Sequence, residues 1–187
     1  DVSHAPVFPS STQYVTVTAL VADNAGVSAV MLRYRPEGSA DYTALPMVDD
    51  GSGGDQRAGD MWYTALIPPQ PDGEYVEFYV VATDNEGMQR VVPDGAPGTT
   101  STETGRPLTI SYLYLVEDTP RTDPLPVYRL IMTGQNWTEL TTRDLFSNIL
   151  LDATFVYSRE VFYNVGVRYR GESSRNVWPR PYRIKFR

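Results

Sequence analysis

Short runs of alternating apolar and polar residues, each closed by turn-forming residues, fill the first 116 positions of this 187-residue chain. Residues 14–22, for example, place Val15, Val17 and Val21 on one face. This period of two is typical of strands with one buried face, and no helical period competes with it. Seven such runs are present: residues 14–22, 28–36, 41–48, 61–68, 74–83, 88–92 and 108–116. Seven short strands at this spacing predict a Greek-key β-sandwich over residues 10–116.

Turn-forming residues lie between these strands, and a proline-rich segment follows the last of them. Asp23-Asn24-Ala25-Gly26 and Asp84-Asn85-Glu86-Gly87 combine residues that tolerate the left-handed backbone of tight turns. Residues 117–126 (EDTPRTDPLP) carry three prolines and four charged residues in ten positions. Because this composition disfavours both helix and sheet, we interpret the segment as a linker between two domains.

The remaining residues, 127–187, predict a smaller α+β unit. Residues 127–132 form an apolar strand pattern, and Asn136 with Glu139 fits a capping box that opens a helix to about Asn148. Further strands are predicted at residues 153–158, 161–170 and 182–187. The alternation in the second of these puts one set of residues on a single apolar face: Val161, Tyr163, Val165, Val167 and Tyr169. It puts Asn164, Arg168 and Arg170 on the opposite face.

The residue types that are missing exclude several kinds of enzyme. The chain has no cysteine and a single histidine, His4. Disulfides, cysteine-ligated zinc, iron–sulfur clusters and thiol nucleophiles are therefore excluded, and a Ser-His-Asp triad would have only His4 to use. No P-loop, dinucleotide fingerprint or Gly-x-Ser-x-Gly elbow is present. No apolar run approaches the roughly 18–20 residues of a bilayer-spanning helix, so we expect no membrane span.

Charge divides the chain near the same place as the linker. Residues 1–115 hold 15 acidic and 5 basic residues, whereas residues 116–187 hold 8 acidic and 11 basic ones. Lys185 is the only lysine, and the other fifteen basic residues are arginines. The net charge of −7 argues against general nucleic-acid binding, although a local basic face can still hold phosphate.

The loop at residues 49–60 (DDGSGGDQRAGD) is a candidate metal site. It concentrates four acidic side chains among four glycines: Asp49, Asp50, Asp55 and Asp60. Calcium takes six to eight oxygen ligands, and glycines let a backbone fold around the ion. The spacing does not match an EF-hand. The sequence leaves open both a calcium site and an exposed flexible turn without an ion.

The basic stretch at residues 167–187 is a candidate anion site. Two predicted strands present Arg168, Arg170, Arg183, Lys185 and Arg187 on one face. Between them, residues 171–175 (GESSR) form a turn with two hydroxyls and free backbone donors. Guanidinium groups bind phosphate bidentately, and amides and hydroxyls can cradle its oxygens. The alternative is a solvated sheet face, but like charges this close require a counter-ion, an acidic partner or an anionic ligand.

Several short stretches of residues 127–187 match a sequence pattern of a known family. YNVGVRYRGESSR and PRPYRIKF, within residues 163–186, follow VYRLIM, NW and DATFVY. Together they resemble the start of the CotH-like spore-coat kinase family, in which a strand ending Gly-[Ile/Val]-Arg-x-[Lys/Arg]-Gly-x-Ser-Ser-Arg precedes a basic-aromatic strand ending Lys-Phe. The first half is similar to the Ig-like or fibronectin-III-like modules that precede such domains in secreted bacterial proteins. The stretches that show this similarity are DDGSGGDQRAGDMWYTALIP and GEYVEFYVVATDNEG.

The resemblance implies that residues 127–187 are an N-terminal fragment of an atypical kinase domain, which uses ATP and a divalent metal, Mg or Mn, to phosphorylate protein serine. It implies these nucleotide-binding residues: Arg168, Arg170, Ser173, Ser174, Arg175, Arg180 and Lys185. Arg180 stands near a position where the family often has lysine. The family's later segments, which supply the catalytic and metal-binding acids, are not in this chain. We therefore expect the chain itself to have no kinase activity.

The resemblance also implies partners and a location. A parent kinase would act on a protein substrate and would be secreted or held at the bacterial cell surface; this chain carries no signal sequence. A truncated lobe should leave apolar surface uncovered around Val161–Tyr169, which favours self-association. The residues also leave a function of another class open: a non-catalytic extracellular module for adhesion or carbohydrate binding.

Overall fold

The chain is mainly β, as the sequence predicts. The computed structural model describes residues 1–119 and 127–186, with 45% of the chain in strands and 7% in helix. The strands of the first half are β1 (Val2–Ala5), β2 (Val15–Leu20), β3 (Val27–Pro36), β4 (Thr43–Met47), β5 (Trp62–Ile67), β6 (Tyr75–Asp84), β7 (Gln89–Val92), β8 (Gly98–Thr100), β9 (Pro107–Thr109) and β10 (Tyr112–Leu115). The second half contains β11 (Tyr128–Ile131), α1 (Gly134–Thr142), β12 (Leu151–Tyr157), β13 (Glu160–Tyr169) and β14 (Tyr182–Lys185).

Two antiparallel sheets share one core in the first half. One has the order β1-β2-β5, and the other has the order β10-β6-β3-β4 with β7 also paired to β6. Alternate residues of both sheets fill the space between them, including Val17, Leu32, Ile67 and Phe78, each fully buried. The period of two therefore predicted the strands that build this core. It missed β1 and β8, which are short, and it merged β9 and β10 into the single strand predicted at residues 108–116.

The second half forms a single antiparallel sheet in the order β11-β12-β13-β14. Helix α1 connects the first two strands, but it begins and ends earlier than predicted. Thr133 is its N-cap and accepts from the N–H of Asn136, so the predicted capping box at Asn136 and Glu139 is wrong. Both of those side chains are buried and bond to the first half of the chain instead. Most of the predicted linker, residues 120–126, lies outside the described residues.

A bulge in β13 moves side chains to the opposite face of the sheet. Ala153 pairs with Val165 and Phe155 pairs with Phe162, so Tyr163 and Asn164 together stand opposite Thr154. Asn164 has a φ of +51°, a left-handed conformation that asparagine tolerates better than most residues. The prediction of one continuous apolar face is therefore wrong. Val165, Val167 and Tyr169 pack with α1, whereas Val161 and Tyr163 pack against the first half.

The two halves share buried polar contacts. Asn136 of α1 is 1% exposed, and its Oδ1 accepts from the N–H of Thr109 at 2.9 Å. Its Nδ2 donates to the carbonyl of Thr109 at 2.8 Å and to that of Asp152 at 3.0 Å. This single amide therefore ties β9, α1 and β12 together.

A second contact between the halves joins β1 to β13. His4 of β1 is buried, and its Nδ1 is hydrogen-bonded to the hydroxyl of Tyr163 in β13. The imidazole also stacks on Tyr114 at a centroid distance of 5.2 Å. Burial lowers the pKa of His4 from 6.5 to about 4, so the ring is neutral in the folded protein at neutral pH.

Candidate functional site

The turn between β13 and β14 begins with a backbone conformation that favours glycine. Gly171 follows β13 with a φ of +95°, and a Cβ at this position would collide with the Ser174 hydroxyl. A 3-10 turn over Ser173–Asn176 then leads back toward β14. The glycine is therefore needed to place both serines beside the end of β13.

Arg168 and Arg183 lie on the same side of this hairpin. They are directly opposite each other in the register of β13 and β14, and Lys185 lies opposite Gly166 one step further along. Arg168 donates from Nη1 to the carbonyl of Tyr169 at 2.8 Å, which holds its guanidinium beside the strand. Burial, together with the nearby charges of Arg175 and Arg183, lowers the pKa of Arg168. The structure thus brings cationic side chains close together.

Arg175 has a structural role in this turn. It is 5% exposed, and its Nη1 donates to the carbonyls of Leu145 and Ser147 at 3.2 Å each. Its Nη2 donates to Oδ1 of Asn148 at 3.1 Å. Three hydrogen bonds to the segment after α1 leave this guanidinium little capacity to receive a phosphate. Its positive charge still contributes to the local potential.

The other predicted nucleotide-binding residues divide into anchors and exposed groups. Arg180 donates from Nε to the carbonyl of Arg175 at 2.9 Å, and the Ser174 hydroxyl donates to the carbonyl of Arg170 at 3.3 Å. These two side chains stabilise the turn. Arg170, Ser173 and Lys185 are exposed, and they are available to a ligand together with the partly exposed Arg168.

Sequence reasoning missed Arg143 as a member of this cluster. Arg143 follows α1 and is 8% exposed, and it donates from Nη2 to the carbonyl of Ile149 at 2.7 Å. Burial lowers the pKa of Arg143; the charges of Glu103 and Glu139 oppose this shift, and those of Arg168 and Arg175 add to it. The sequence held no signal for this neighbour, because the fold brings it to the turn from 25 or more positions away.

Among the described residues, the cluster of Arg143, Arg168, Arg175 and Arg183, here called the arginine cluster, forms no ion pair within 4.0 Å, although the charges of Glu103 and Glu139 act on Arg143. The ion pairs among the described residues are Arg35–Glu77, Arg90–Asp94 and Arg129–Glu117, and all lie elsewhere. Four mutually repelling guanidiniums favour an anion next to them. Guanidinium groups can hold an anion such as phosphate but cannot coordinate Mg or Mn, so binding of ATP or of either metal here stays a prediction.

The acidic loop at residues 49–60 brings three of its four predicted ligands together. One carboxylate oxygen from each of Asp49, Asp55 and Asp60 lies within 4.8 Å of the other two. Asp50 lies outside this trio, and its carboxylate accepts from the N–H and the hydroxyl of Ser52, which lower its pKa. The predicted set of four ligands therefore reduces to three.

Backbone donors already occupy the oxygens of this trio. The Asp49 carboxylate accepts from the N–H groups of Gly59, Asp60 and Met61 at 2.7, 3.1 and 3.0 Å. The Asp55 carboxylate, 8% exposed, accepts from the N–H groups of Gly51 and Arg57. These bonds fold the loop without an ion, and calcium binding here stays a prediction.

Exposed apolar surface overlaps only one end of the stretch where it was expected. Val165, Val167 and Tyr169 are at most 4% exposed, whereas Phe162 is 38% exposed, so only the Phe162 end of Val161–Tyr169 is uncovered. Aromatic rings cluster on one face of the second sheet, with neighbouring centroids 4.9 to 6.3 Å apart. This aromatic face consists of Tyr128, Phe155, Tyr157, Phe162 and Phe186. Among the described residues, no helix has the length and apolar character needed to cross a membrane.

Comparison with known proteins does not assign a family or a function to this site. No protein-family model matches the chain. A search of curated proteins also finds no match.

Proposed function

We propose that the chain joins an Ig-like or fibronectin-III-like β-sandwich to part of the nucleotide-binding lobe of a CotH-like atypical protein kinase. The observation that carries the proposal is the arginine cluster beside the Gly171 turn, which has no carboxylate partner among the described residues. In this proposal the parent protein is secreted or surface-bound and phosphorylates serine on a protein substrate.

In this proposal the basic side chains of the turn have two different roles. Arg175 and Arg180 hold the backbone in place, while Arg168, Arg170 and Lys185 present charge to the phosphates of ATP. Phosphoryl transfer also requires divalent ions and a residue that orients the nucleophile. The proposal assigns nucleotide binding to this part of the protein and the metal-binding and catalytic acids to the later segments of the family, so we expect no phosphate transfer by the chain on its own.

The sandwich assignment rests on two sheets around one core. Strands β3 and β6 form the centre of one sheet, β2 forms the centre of the other, and the buried residues of both sheets are in contact. Antiparallel sheets packed in this way are typical of Ig-like and fibronectin-III-like modules. The module then acts as an accessory domain that is held against the kinase lobe through Asn136 and His4.

Nucleotide titration tests the proposal. ATP, AMP and inorganic tripolyphosphate are titrated against the protein by calorimetry at low and moderate salt. We expect ATP and tripolyphosphate to bind at low salt, with AMP at least tenfold weaker, because the cluster recognises several phosphates. The double variant R168A/R170A should abolish binding, whereas R159A, which removes an exposed arginine at the opposite end of β13, should not. Equal affinity for AMP and ATP would contradict the proposal.

A non-catalytic surface-binding module is the second candidate, and the aromatic face favours it. Tyr128 is 64% exposed and Phe186 is 51% exposed, and aromatic rings at such positions can stack on sugars. A glycan array separates the two candidates. Binding that is lost in Y128A and F186A, together with no nucleotide binding, would favour the adhesion or carbohydrate-binding function.

A further inference from the structure

Strand β14 is an outer edge of the second sheet among the described residues, because its only strand partner is β13. The N–H of Arg170 donates to the carbonyl of Pro181 at 2.8 Å, which identifies this pair as hydrogen-bonded. Hydrogen-bonded pairs recur every second residue in an antiparallel ladder, so Arg168 and Arg183 form the next one. The backbone groups that point away from β13 therefore belong to Tyr182, Ile184 and Phe186.

The two faces of β14 differ in chemistry. Arg183 and Lys185 project from one face, beside Arg168 of the neighbouring strand. Tyr182, Ile184 and Phe186 project from the other face, and Phe186 contacts the rings of the aromatic face. A strand added along this edge would therefore have a basic neighbour on one side and an apolar neighbour on the other.

Charge decides which strand this edge can accept. Arg168, Arg183 and Lys185 have no carboxylate within 4.0 Å among the described residues. A second copy of β14 would bring its own Arg183 and Lys185 to the same edge, and like charges on adjacent strands destabilise pairing. An acidic strand would instead supply the missing counter-charges. The partner is thus an acidic segment and not a second copy of this edge.

We propose that the edge of β14 binds an extended peptide segment in which acidic and apolar residues alternate, and that this segment becomes a fifth strand of the sheet. Arg183 and Lys185 are two residues apart, about 6.6 Å along a strand, so carboxylates two residues apart match them. The intervening apolar side chains then pack beside Tyr182, Ile184 and Phe186. Backbone hydrogen bonds would supply affinity, and the alternation would supply specificity. This inference goes beyond the proposed nucleotide site.

Labelled peptides of matched composition test the proposal. Fluorescence anisotropy compares a peptide of alternating Glu and Val with one in which the same residues form two blocks, and with one of alternating Lys and Val. We expect the alternating acidic peptide to bind at least tenfold more tightly than either control. Hydrogen exchange should then slow at the amides of Tyr182, Ile184 and Phe186. Equal binding of the block peptide would overturn the proposal, because charge alone would explain it.

Two variants separate strand addition from nucleotide binding. I184P removes an N–H that points away from β13, so it should spare the sheet, abolish peptide binding and leave ATP binding unchanged. R183E/K185E should reverse the preference, so that the alternating Lys peptide binds instead. The second variant remains informative if I184P does not fold. Unchanged peptide preference in R183E/K185E would overturn the proposal. Failure of the parent protein to bind ATP, with its peptide preference intact, would contradict only the nucleotide site.

Discussion

Arg168 and Arg183 occupy directly opposite positions in the antiparallel pair β13–β14, so two guanidiniums that form no ion pair with a described carboxylate share one side of a hairpin. Like charges in directly opposite positions weaken strand pairing. The protein therefore keeps an arrangement that costs stability in the absence of an anion. This cost is the physical reason for proposing that the hairpin binds an anion.

Relieving this repulsion should stabilise the free protein. R183T keeps a side chain suited to a strand and removes one charge, so we expect the free energy of unfolding in urea to rise by about 0.2–1 kcal/mol at low salt. The gain should shrink in 0.5 M NaCl, because salt screens the repulsion in the parent protein. R159T is the matched control at the opposite end of β13 and should change little. Destabilisation by R183T would show that Arg183 makes a favourable contact in the free state.

Removing the Asn136 amide should destabilise the whole chain. N136A removes the side-chain partners of the Thr109 N–H and carbonyl and one hydrogen bond to the Asp152 carbonyl, and an unsatisfied buried polar group costs about 1–3 kcal/mol. We expect a loss of about 2–4 kcal/mol in urea unfolding. T138A, on the exposed side of the same helix, is the control and should cost less than 1 kcal/mol. Equal effects of the two variants would contradict the bridging role of Asn136.

Stability should depend on pH through His4. Burial lowers the pKa of His4 from 6.5 to about 4, so between these values the unfolded chain binds more protons than the folded one. Stability contributed by the neutral ring is therefore complete above pH 6.5 and is lost as pH falls toward 4. The full loss is roughly 3 kcal/mol. We expect the melting temperature to fall between pH 7 and pH 5 in the parent protein and to fall less in H4Q. Parallel profiles would contradict this assignment.

The acidic loop yields a prediction that separates its two interpretations. Asp49 accepts three backbone hydrogen bonds, so D49A should destabilise the first half by about 1–3 kcal/mol, while D50A, at an exposed carboxylate, should have little effect. If the trio also binds calcium, millimolar calcium will raise the melting temperature of the parent protein by mass action and will not raise that of D55N. A melting temperature that is independent of calcium would leave the loop with a structural role alone.

The sequence predicted the strands well because alternation records which side chains are buried. The pattern of Val15, Val17 and Ala19 places them on one face, and each is buried in the first core. The same logic failed in β13, because an alternating pattern continues through Asn164 while the bulge there exchanges the two faces. A bulge is set by how two strands pair, and a single strand does not encode its partner's register.

The candidate site was only partly predictable for a related reason. The string RYRGESSR indicated a turn with basic flanks, and the structure contains one. Its division into anchors and exposed groups was not predictable, because Arg175 bonds to carbonyls of Leu145 and Ser147 that are nearly thirty positions away. Arg143 also comes from a distant part of the sequence, so local patterns do not predict that it lies in the cluster. The spacing of Asn136 and Glu139 predicts a capping box, but the Asn136 side chain bonds to Thr109 instead.

The hydrogen bond between His4 and Tyr163 has a consequence for how the protein is made. The two residues are separated by 159 positions, so β13 must be synthesised long after β1 before they can meet. At bacterial or eukaryotic synthesis speeds this takes roughly 8–30 s, which is far longer than a hairpin needs to form. During that interval β1 can pair with β2 and the His4 Nε2 can bond to the carbonyl of Val7, but its Nδ1 still lacks the Tyr163 hydroxyl. Strand β1 therefore acquires its final environment only after β13 has been synthesised.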